Sequence, residues 1–166
     1  THVHWNPEYS DVKLMQCNLL IERIAAIQQE NGGGELPMLI CGDFNSVPGS
    51  GVYTLLSERK VDSTHPDFKG LAYGRYTRHG LHHQLHLKSS YCEVGGEPAF
   101  TNYTGDFKGV LDYIWYSTRC LDVKSVLAPI DEQSVLELSG ALPNPYNCSD
   151  HIPLVADVLF RLSPKK

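Results

Sequence analysis

LPMLICGDFNSVPGSG, residues 36–51, decides the fold that we expect of this chain. The apolar run LPMLIC predicts a strand that is buried on both faces, because its residues do not alternate with polar ones. VPGSG predicts a turn, and the following GVYTLLSER predicts a short helix. Asp43 and Asn45 leave the strand between these signals. A carboxylate at the end of a buried strand is costly to desolvate unless another group uses its charge.

The residues before this stretch extend it into a mixed fold. THVHW, residues 1–5, predicts a strand end that is stopped by Pro7. An apolar stripe at helical spacing predicts a helix that begins with Ser10 as its N-cap and ends at NGGG, residues 31–34. The order strand, helix, strand, helix indicates a single domain of the α/β or α+β class.

The second half of the chain supplies the remaining strand signals. Residues 62–97 are rich in His, Gly and Ser and predict loops with short elements. AFTNYT, VLDYIWYS, VKSVLAPI and HIPLVADVLFRL predict strands, with one short helical piece before the last of them. Asp112 lies inside the second of these strands, and Asp150 and His151 lie directly before or at the start of the last.

Composition restricts the class of protein. The 166 residues, 42% hydrophobic and 20% charged, suit one globular domain. The net charge of −5 argues against nucleic-acid binding by basic side chains alone, although bound cations can bridge an acidic site to phosphate. Five scattered cysteines without a C-x-x-C pair favour a reducing compartment, so we expect a cytoplasmic protein, with the nucleus as a second location. No apolar run suggests a membrane partner.

Polar residues at several strand ends suggest one shared site. Taken singly, each has an ordinary structural explanation, such as capping of the next turn by Asp43. Taken together, the carboxylates and the amide of Asn45 are ligands that suit Mg²⁺ or Mn²⁺. A His with an Asp to orient it suits proton transfer. The set therefore indicates hydrolysis of a phosphate ester with the help of a hard cation.

Longer motifs give a more specific indication. CGDFNS, GVLDYIWYS and SDHIPLVADV, in this order, resemble the endonuclease/exonuclease/phosphatase superfamily. HVHWNPEYSDVK and TNYTGDFKGVLDYI resemble, more narrowly, its carbon-catabolite-repression type poly(A) deadenylases. The resemblance covers residues 1–162 and leaves residues 163–166 as a frayed tail. It implies a DNase-I-like fold, in which two β-sheets pack face to face with helices outside.

The resemblance also implies an activity and partners. The complete enzyme would be a 3′-5′ exoribonuclease that uses Mg²⁺, with Mn²⁺ as a substitute, and hydrolyses mRNA poly(A) tails to 5′-AMP. It would bind single-stranded poly(A) RNA and work as a subunit of a larger deadenylase complex.

Five residues match the family's catalytic positions. Asp43 corresponds to the residue that orients or deprotonates the attacking water, and Asn45 to the amide that holds the water and the scissile phosphate. His151 corresponds to a His that contacts the phosphate, with Asp112 as its orienting acid. His2 corresponds to a second His on the phosphate side.

The remaining matches concern the metal and the base. Asp150 corresponds to a metal-site carboxylate. Phe107 and Pro7 correspond to the residues that contact an adenine, together with Asn45 on the substrate side. Glycines and charges flank Phe107 and favour an exposed ring, whereas Pro7 also has the simpler explanation of a strand terminator.

One departure from the family qualifies these expectations. The first half of the superfamily's domain supplies the principal metal ligand, a Glu, and no Glu of this chain stands in that context. We therefore expect residues 1–162 to be the C-terminal half of a catalytic domain, half of the two-sheet sandwich and inactive alone. Two alternatives remain: another phosphodiesterase of the superfamily with a DNA, lipid or inositol phosphate substrate, and a non-catalytic half-domain.

Overall fold

Helix α1, Ser10–Glu30, is the longest element of residues 1–161, which are the part of the chain that the computed structural model describes. Its apolar stripe, which includes Leu14 and Ile21, is buried against the rest of the molecule. NGGG follows the helix, and Gly33 has a φ of 72°, a left-handed conformation that favours glycine and prevents a further turn. The predicted helix and its predicted end are confirmed.

The predicted N-cap at Ser10 is wrong. Tyr9 occupies the cap position, and no side chain caps the helix. The hydroxyl of Ser10 instead donates to the main-chain oxygen of Asp67 at 3.3 Å. Ser10 is already the first helical residue, so its side chain does not stand at the position from which a cap accepts the first-turn N–H groups.

The other elements are short. In chain order they are β1 (Leu39–Asp43), α2 (Gly51–Glu58), β2 (Lys60–Val61), a 3₁₀ turn (Pro66–Phe68), α3 (Arg75–His79), β3 (Leu81–His82), β4 (Leu87–Ser89), α4 (Ser90–Val94), β5 (Asn102–Tyr103), β6 (Lys108–Gly109), β7 (Asp112–Ser117), β8 (Leu121–Val126), α5 (Glu132–Leu138) and β9 (Ala156–Phe160). Residues 62–97 contain only short helices and strands, as predicted.

An antiparallel sheet in the order β1-β7-β4 forms the centre of the molecule. Its register places Ile40 opposite Trp115, and Asp43 opposite Asp112. Side chains alternate between the faces of a strand. Ile40 and Trp115 therefore share the face that packs against α1 and α2, whereas Asp43 and Asp112 lie on the other face.

The prediction that β1 is buried on both faces is wrong for the described residues. Leu39 is 47% exposed and Cys41 is exposed. Helices α1 and α2 pack on the face that carries Ile40 and not on the face that carries Leu39 and Cys41. We call the side opposite these two helices, with Leu39, Cys41 and Asp43 of β1 and Asp112 of β7, the open face.

Strands β8 and β9 form a separate antiparallel pair, and so do β5 and β6. The strands predicted at AFTNYT and HIPLVADVLFRL exist but are shorter than predicted. The strand end predicted at THVHW is reduced to a single bridge: His2 pairs with Asp43, and the N–H of Val3 donates to the main-chain oxygen of Asp43 at 2.9 Å. Helices together with antiparallel sheets confirm the mixed class predicted from the sequence.

All five cysteines are free thiols. Within residues 1–161, no helix combines the length and the hydropathy that a bilayer crossing requires. The C-terminal boundary at residue 162 and the predicted tail at residues 163–166 lie outside the described residues.

Candidate active site

The strand register brings two of the predicted acids together. Asp43 is the last residue of β1 and lies opposite Asp112, the first residue of β7. The hydroxyl of Thr101 accepts hydrogen bonds from the main-chain N–H of Leu111 at 2.8 Å and from that of Asp112 at 3.0 Å. Thr101 is fully buried, so it fixes the start of β7 and with it the position of the Asp112 side chain.

His151 joins Asp112 through a side-chain contact. The Nδ1 of His151 lies 2.7 Å from Oδ2 of Asp112. A carboxylate accepts hydrogen bonds, so Nδ1 carries the proton and Nε2 faces away from Asp112. A bridge between Asn102 and His151 aligns the SDH segment with β5, and the N–H of Ile152 donates to the Thr101 oxygen at 2.8 Å.

Three of the predicted residues converge closely enough to share a ligand. Asp43, Asp112 and His151 each offer one atom that could bind a metal ion, and these atoms lie within 4.8 Å of one another. Each residue is only partly buried, so the group faces solvent on the open face. The two carboxylates could hold a cation here, with the imidazole beside it.

Asn45 and His2 surround the Asp43 carboxylate. The main-chain N–H of Asn45 donates to Oδ1 at 2.7 Å, and its side-chain amide donates to Oδ2 at 3.1 Å and to the Val3 oxygen at 2.9 Å. The Nε2 of His2 lies 3.5 Å from Oδ2, with the imidazole largely exposed. Both carboxylate oxygens of Asp43 therefore contact residues that the sequence analysis had predicted for the site, Asn45 and His2.

Asp150 lies next to this group but takes part in other bonds. The Nδ2 of Asn102 donates to its Oδ2 and to its main-chain oxygen, both at 3.2 Å. Asp150 is not among the three residues whose ligand atoms converge. Its role as a metal ligand stays a prediction.

Several groups act on the pKa of Asp43 in opposite directions. Burial raises the pKa of this carboxyl, the Asn45 N–H lowers it, the charge of Asp112 raises it, and His151 and His2 lower it, with a raised pKa as the result. The carboxylates of Asp43 and Asp112 thus repel each other in the absence of a cation.

His151 retains its proton more strongly than an ordinary His. Burial lowers the pKa of His151, but the hydrogen bond to Asp112 and the charges of Asp112, Asp43 and Asp150 together raise it above 6.5. The imidazole is therefore suited to donate to an anion from Nε2.

A cavity of about 580 Å³ lies beside the carboxylates. It is mostly apolar, and its lining includes Asn45, Phe107, Pro7, Trp5 and Lys13. Phe107 is 38% exposed, and its loop is closed by the N–H of Thr104, which donates to the Phe107 oxygen at 2.7 Å. The two predicted base-contacting residues thus share one cavity with Asn45.

Sequence reasoning missed two residues of this cavity. Trp5 is 70% exposed and presents an aromatic surface at the cavity wall, although only its position between His2 and Pro7 could have drawn attention to it. Lys13 is 7% exposed, which nothing in the sequence pattern of a helical first turn indicates.

The sheet and the site are those of a phosphoesterase, and comparison with known proteins gives the same class. The chain belongs to the Endonuclease/Exonuclease/phosphatase family, whose model matches residues 5–151. It is 41% identical over 181 residues to the "CCR4-Not complex 3′-5′-exoribonuclease subunit Ccr4" of Yarrowia lipolytica, with 97% of this chain and 25% of that protein covered. The protein of the same name from Aspergillus niger is 36% identical, with 99% of this chain and 28% of that protein covered.

A solved structure shows the same fold. ANGEL2, described as a 2′,3′-cyclic phosphatase in complex with adenosine-2′,3′-vanadate, superposes with a TM-score of 0.75 at 29% identity. The match covers 94% of this chain and 54% of that chain. It confirms the DNase-I-like fold class and the predicted family. The chain spans about a quarter of the length of the curated relatives that it matches.

Proposed function

We propose that this chain is the C-terminal half, residues 1–162, of the catalytic domain of a 3′-5′ exoribonuclease that hydrolyses mRNA poly(A) tails to 5′-AMP. The observation that carries the proposal is the convergence of Asp43, Asp112 and His151 next to the cavity that contains Phe107. The relatives named as exoribonuclease subunits of the CCR4-Not complex support it. By the same similarity, we propose that the whole protein works within such a complex, in the cytoplasm and the nucleus.

The His151–Asp112 pair would act on the phosphate. With Nδ1 held by Asp112, Nε2 is available to donate a proton or a hydrogen bond to a phosphate oxygen. That donation stabilises the charge that develops as the phosphodiester is attacked. His2, which lies on the other side of the Asp43 carboxylate, would contact the same phosphate.

Asp43 would orient or deprotonate the attacking water. Without a bound cation its pKa is raised, with burial as the first cause, and a carboxylate with a raised pKa is a better proton acceptor than an ordinary Asp. Asn45 holds both carboxylate oxygens and would also contact the water and the scissile phosphate. The chain thus supplies the base and the amide from one segment, residues 43–45, and the imidazole of His151 from another.

Mg²⁺ is the cation that we propose, with Mn²⁺ as a substitute. The donor set fits a hard cation, because carboxylate oxygens dominate it and the mutual repulsion of Asp43 and Asp112 would be relieved by a positive charge. Asp150 would add a further carboxylate. A bound Mg²⁺ neutralises phosphate oxygens and assists attack by water.

The cavity would hold an adenine base. Phe107 offers a partly exposed ring, Pro7 lies on the lining of the same cavity, and Trp5 adds a second aromatic surface. Stacking of a base on an aromatic side chain contributes about 1–3 kcal/mol.

The test uses the full-length protein that contains this chain. A 5′-labelled oligoadenylate is incubated with Mg²⁺, with Mn²⁺ or with EDTA, and 5′-AMP release is followed by chromatography. We expect release with either cation and none with EDTA, and a preference for oligoadenylate over oligouridylate and oligocytidylate. Equal rates on the three homopolymers would exclude the poly(A) assignment, and unchanged rates in EDTA would exclude the metal.

A second candidate is hydrolysis of 2′,3′-cyclic phosphate at RNA ends, which the similarity to ANGEL2 favours. The same cavity would then bind a terminal adenosine, and His151 and His2 would bind its cyclic phosphate. An oligoadenylate that ends in a 2′,3′-cyclic phosphate separates the two candidates. Loss of the terminal phosphate without chain shortening would support the second candidate, and release of mononucleotides would support the first.

A further inference from the structure

Lys13 occupies an unusual position for a charged residue. It lies in the first turns of α1 and is 7% exposed. Burial of an ammonium group is costly unless other groups compensate it. Within residues 1–161 its Nζ makes one hydrogen bond, to the main-chain oxygen of Asn45 at 2.7 Å.

The acceptor of this bond belongs to a residue with a constrained backbone. Asn45 has a φ of 46°, the left-handed region that residues other than glycine adopt only in fixed surroundings. In this conformation both its main-chain N–H and its side-chain amide reach the Asp43 carboxylate. The orientation of residue 45 therefore decides the orientation of the Asp43 oxygens.

Two side chains hold the main chain after β1 at successive carbonyl groups. Lys13 binds the oxygen of Asn45, and the hydroxyl of Tyr113 donates to the oxygen of Ser46 at 2.7 Å. Tyr113 is buried in the core below the sheet. Lys13 is thus the contact that links α1 directly to the residue that holds Asp43.

The charges around Lys13 are consistent with this arrangement. Burial lowers the pKa of Lys13, and the charges of Asp67 and Asp43 oppose that effect in part. Asp67 lines the same cavity, but its Oδ2 accepts the N–H of Gly51 at 2.6 Å. The carbonyl of Asn45 remains the group to which Lys13 is directly bonded.

We propose that Lys13 is a positioning residue, which holds residue 45 in its left-handed conformation and through it fixes the Asp43 carboxylate for the attack of water. The proposal rests on the proposed function for the role of Asp43. It assigns Lys13 no contact with RNA.

The first experiment measures how strongly the main-chain N–H of Asn45 is protected from hydrogen exchange, and it needs no substrate. Lys13→Met in the full-length protein removes the donor and keeps the length of the side chain. We expect the main-chain N–H of Asn45 to exchange with solvent about tenfold faster, with exchange in the centre of α1 unchanged. Lys69→Met is the matched control, because Lys69 also donates to a main-chain oxygen, that of Glu8 at 2.5 Å, but is exposed and far from Asp43 in sequence.

The second experiment is a double-mutant cycle of single-turnover rates on oligoadenylate. Lys13→Met should lower the rate about 10- to 100-fold with KM nearly unchanged. In the Asp43→Ala background the same change should have less than about a twofold effect, because Lys13 acts through Asp43. Lys13→Arg, which keeps a donor, should recover part of the rate.

Each outcome decides one question. Unchanged exchange at Asn45 overturns the proposal, whatever the substrate of the enzyme is. An increase of KM with a weaker salt dependence means that Lys13 binds RNA phosphate, and additive losses with Asp43→Ala mean a general effect on the fold; either result overturns it. A wild-type protein that releases no nucleotide from oligoadenylate refutes the proposed function, while the exchange measurement still decides whether Lys13 holds residue 45.

Discussion

At the residue scale, the contact of 2.7 Å between His151 and Asp112 determines which imidazole nitrogen faces the site. The contact is also a source of stability that depends on pH. Because the pKa of His151 is raised in the folded protein, this contribution is complete below the ordinary pKa of 6.5 and is lost as the pH rises through the raised value. The same hydrogen bond thus stabilises the fold and orients His151 for its proposed role.

Asp112→Asn should lower the pKa of His151. The substitution removes the hydrogen bond and the charge that raise this pKa, so that burial, which lowers it, prevails. Turnover on oligoadenylate should fall about 100-fold or more, because the imidazole loses its orienting acid. An NMR titration of the His151 ring in the full-length protein measures the pKa. Asp150→Asn, which removes a charge but no bond to the ring, should have a smaller effect; equal shifts in both variants would refute the assigned role of Asp112.

Phe107→Ala should weaken the binding of adenine more than the chemical step. The lost stacking surface corresponds to about 1–3 kcal/mol, or about 5- to 150-fold in affinity. KM on oligoadenylate should rise accordingly, and the preference over oligouridylate should fall. Phe160→Ala is the matched control, since Phe160 is an exposed phenylalanine on β9 that does not line the cavity. An equal loss on every homopolymer would contradict base stacking by Phe107.

At the element scale, the hydroxyl of Thr101 holds the start of β7, in addition to the pairing of β7 with β1 and β4. Thr101→Val keeps the shape of the side chain but leaves the N–H groups of Leu111 and Asp112 without their acceptor. The free energy of unfolding should fall by about 1–3 kcal/mol, and turnover should fall because Asp112 is the first residue of β7. Denaturant titration of the full-length protein measures the first effect.

The control for this substitution is Thr54→Val on α2. Its hydroxyl makes no hydrogen bond within residues 1–161, so its replacement should change the free energy of unfolding by less than about 0.5 kcal/mol. Comparable destabilisation by both substitutions would mean that Thr101 acts only through packing.

The sequence predicts helices well where apolar residues recur at helical spacing. The stripe of α1 and the short helix α2 are such cases. Ser10 fails as a cap because the helix begins one residue earlier than expected, with Tyr9 at the cap position. LPMLIC reads as doubly buried because its residues are all apolar, yet the period of two leaves Leu39 and Cys41 on the open face.

Some residues of the site could be predicted from the sequence and others could not. Asp43, Asp112 and His151 could be selected because polar residues at the ends of apolar strands are conspicuous. Trp5 and Lys13 could not, because their place in the cavity follows from contacts between distant segments, such as the bond from Lys13 to Asn45. The strand register, which brings Asp43 opposite Asp112, is likewise a property of the folded sheet.

At the scale of the whole molecule, residues 1–166 alone should show little or no turnover. The two acids lie on the face of the sheet opposite α1 and α2, and the relatives are about four times longer. Measurement of 5′-AMP release by this chain and by the full-length protein at equal concentration checks the expectation. Equal rates would mean that one half suffices for catalysis and would refute the proposed division of the domain.

The exposure of Cys41 on the open face offers a chemical test of the proposal that a second sheet covers this face in the complete domain. This thiol lies two residues before Asp43 on the same side of β1, so iodoacetamide should alkylate it in residues 1–166 and react far less in an intact domain whose second sheet shields it. Cys92 and Cys148, both exposed, give the reference rate within the same digest. Cys17, buried with a pKa raised to about 12, should stay unlabelled while the fold is intact.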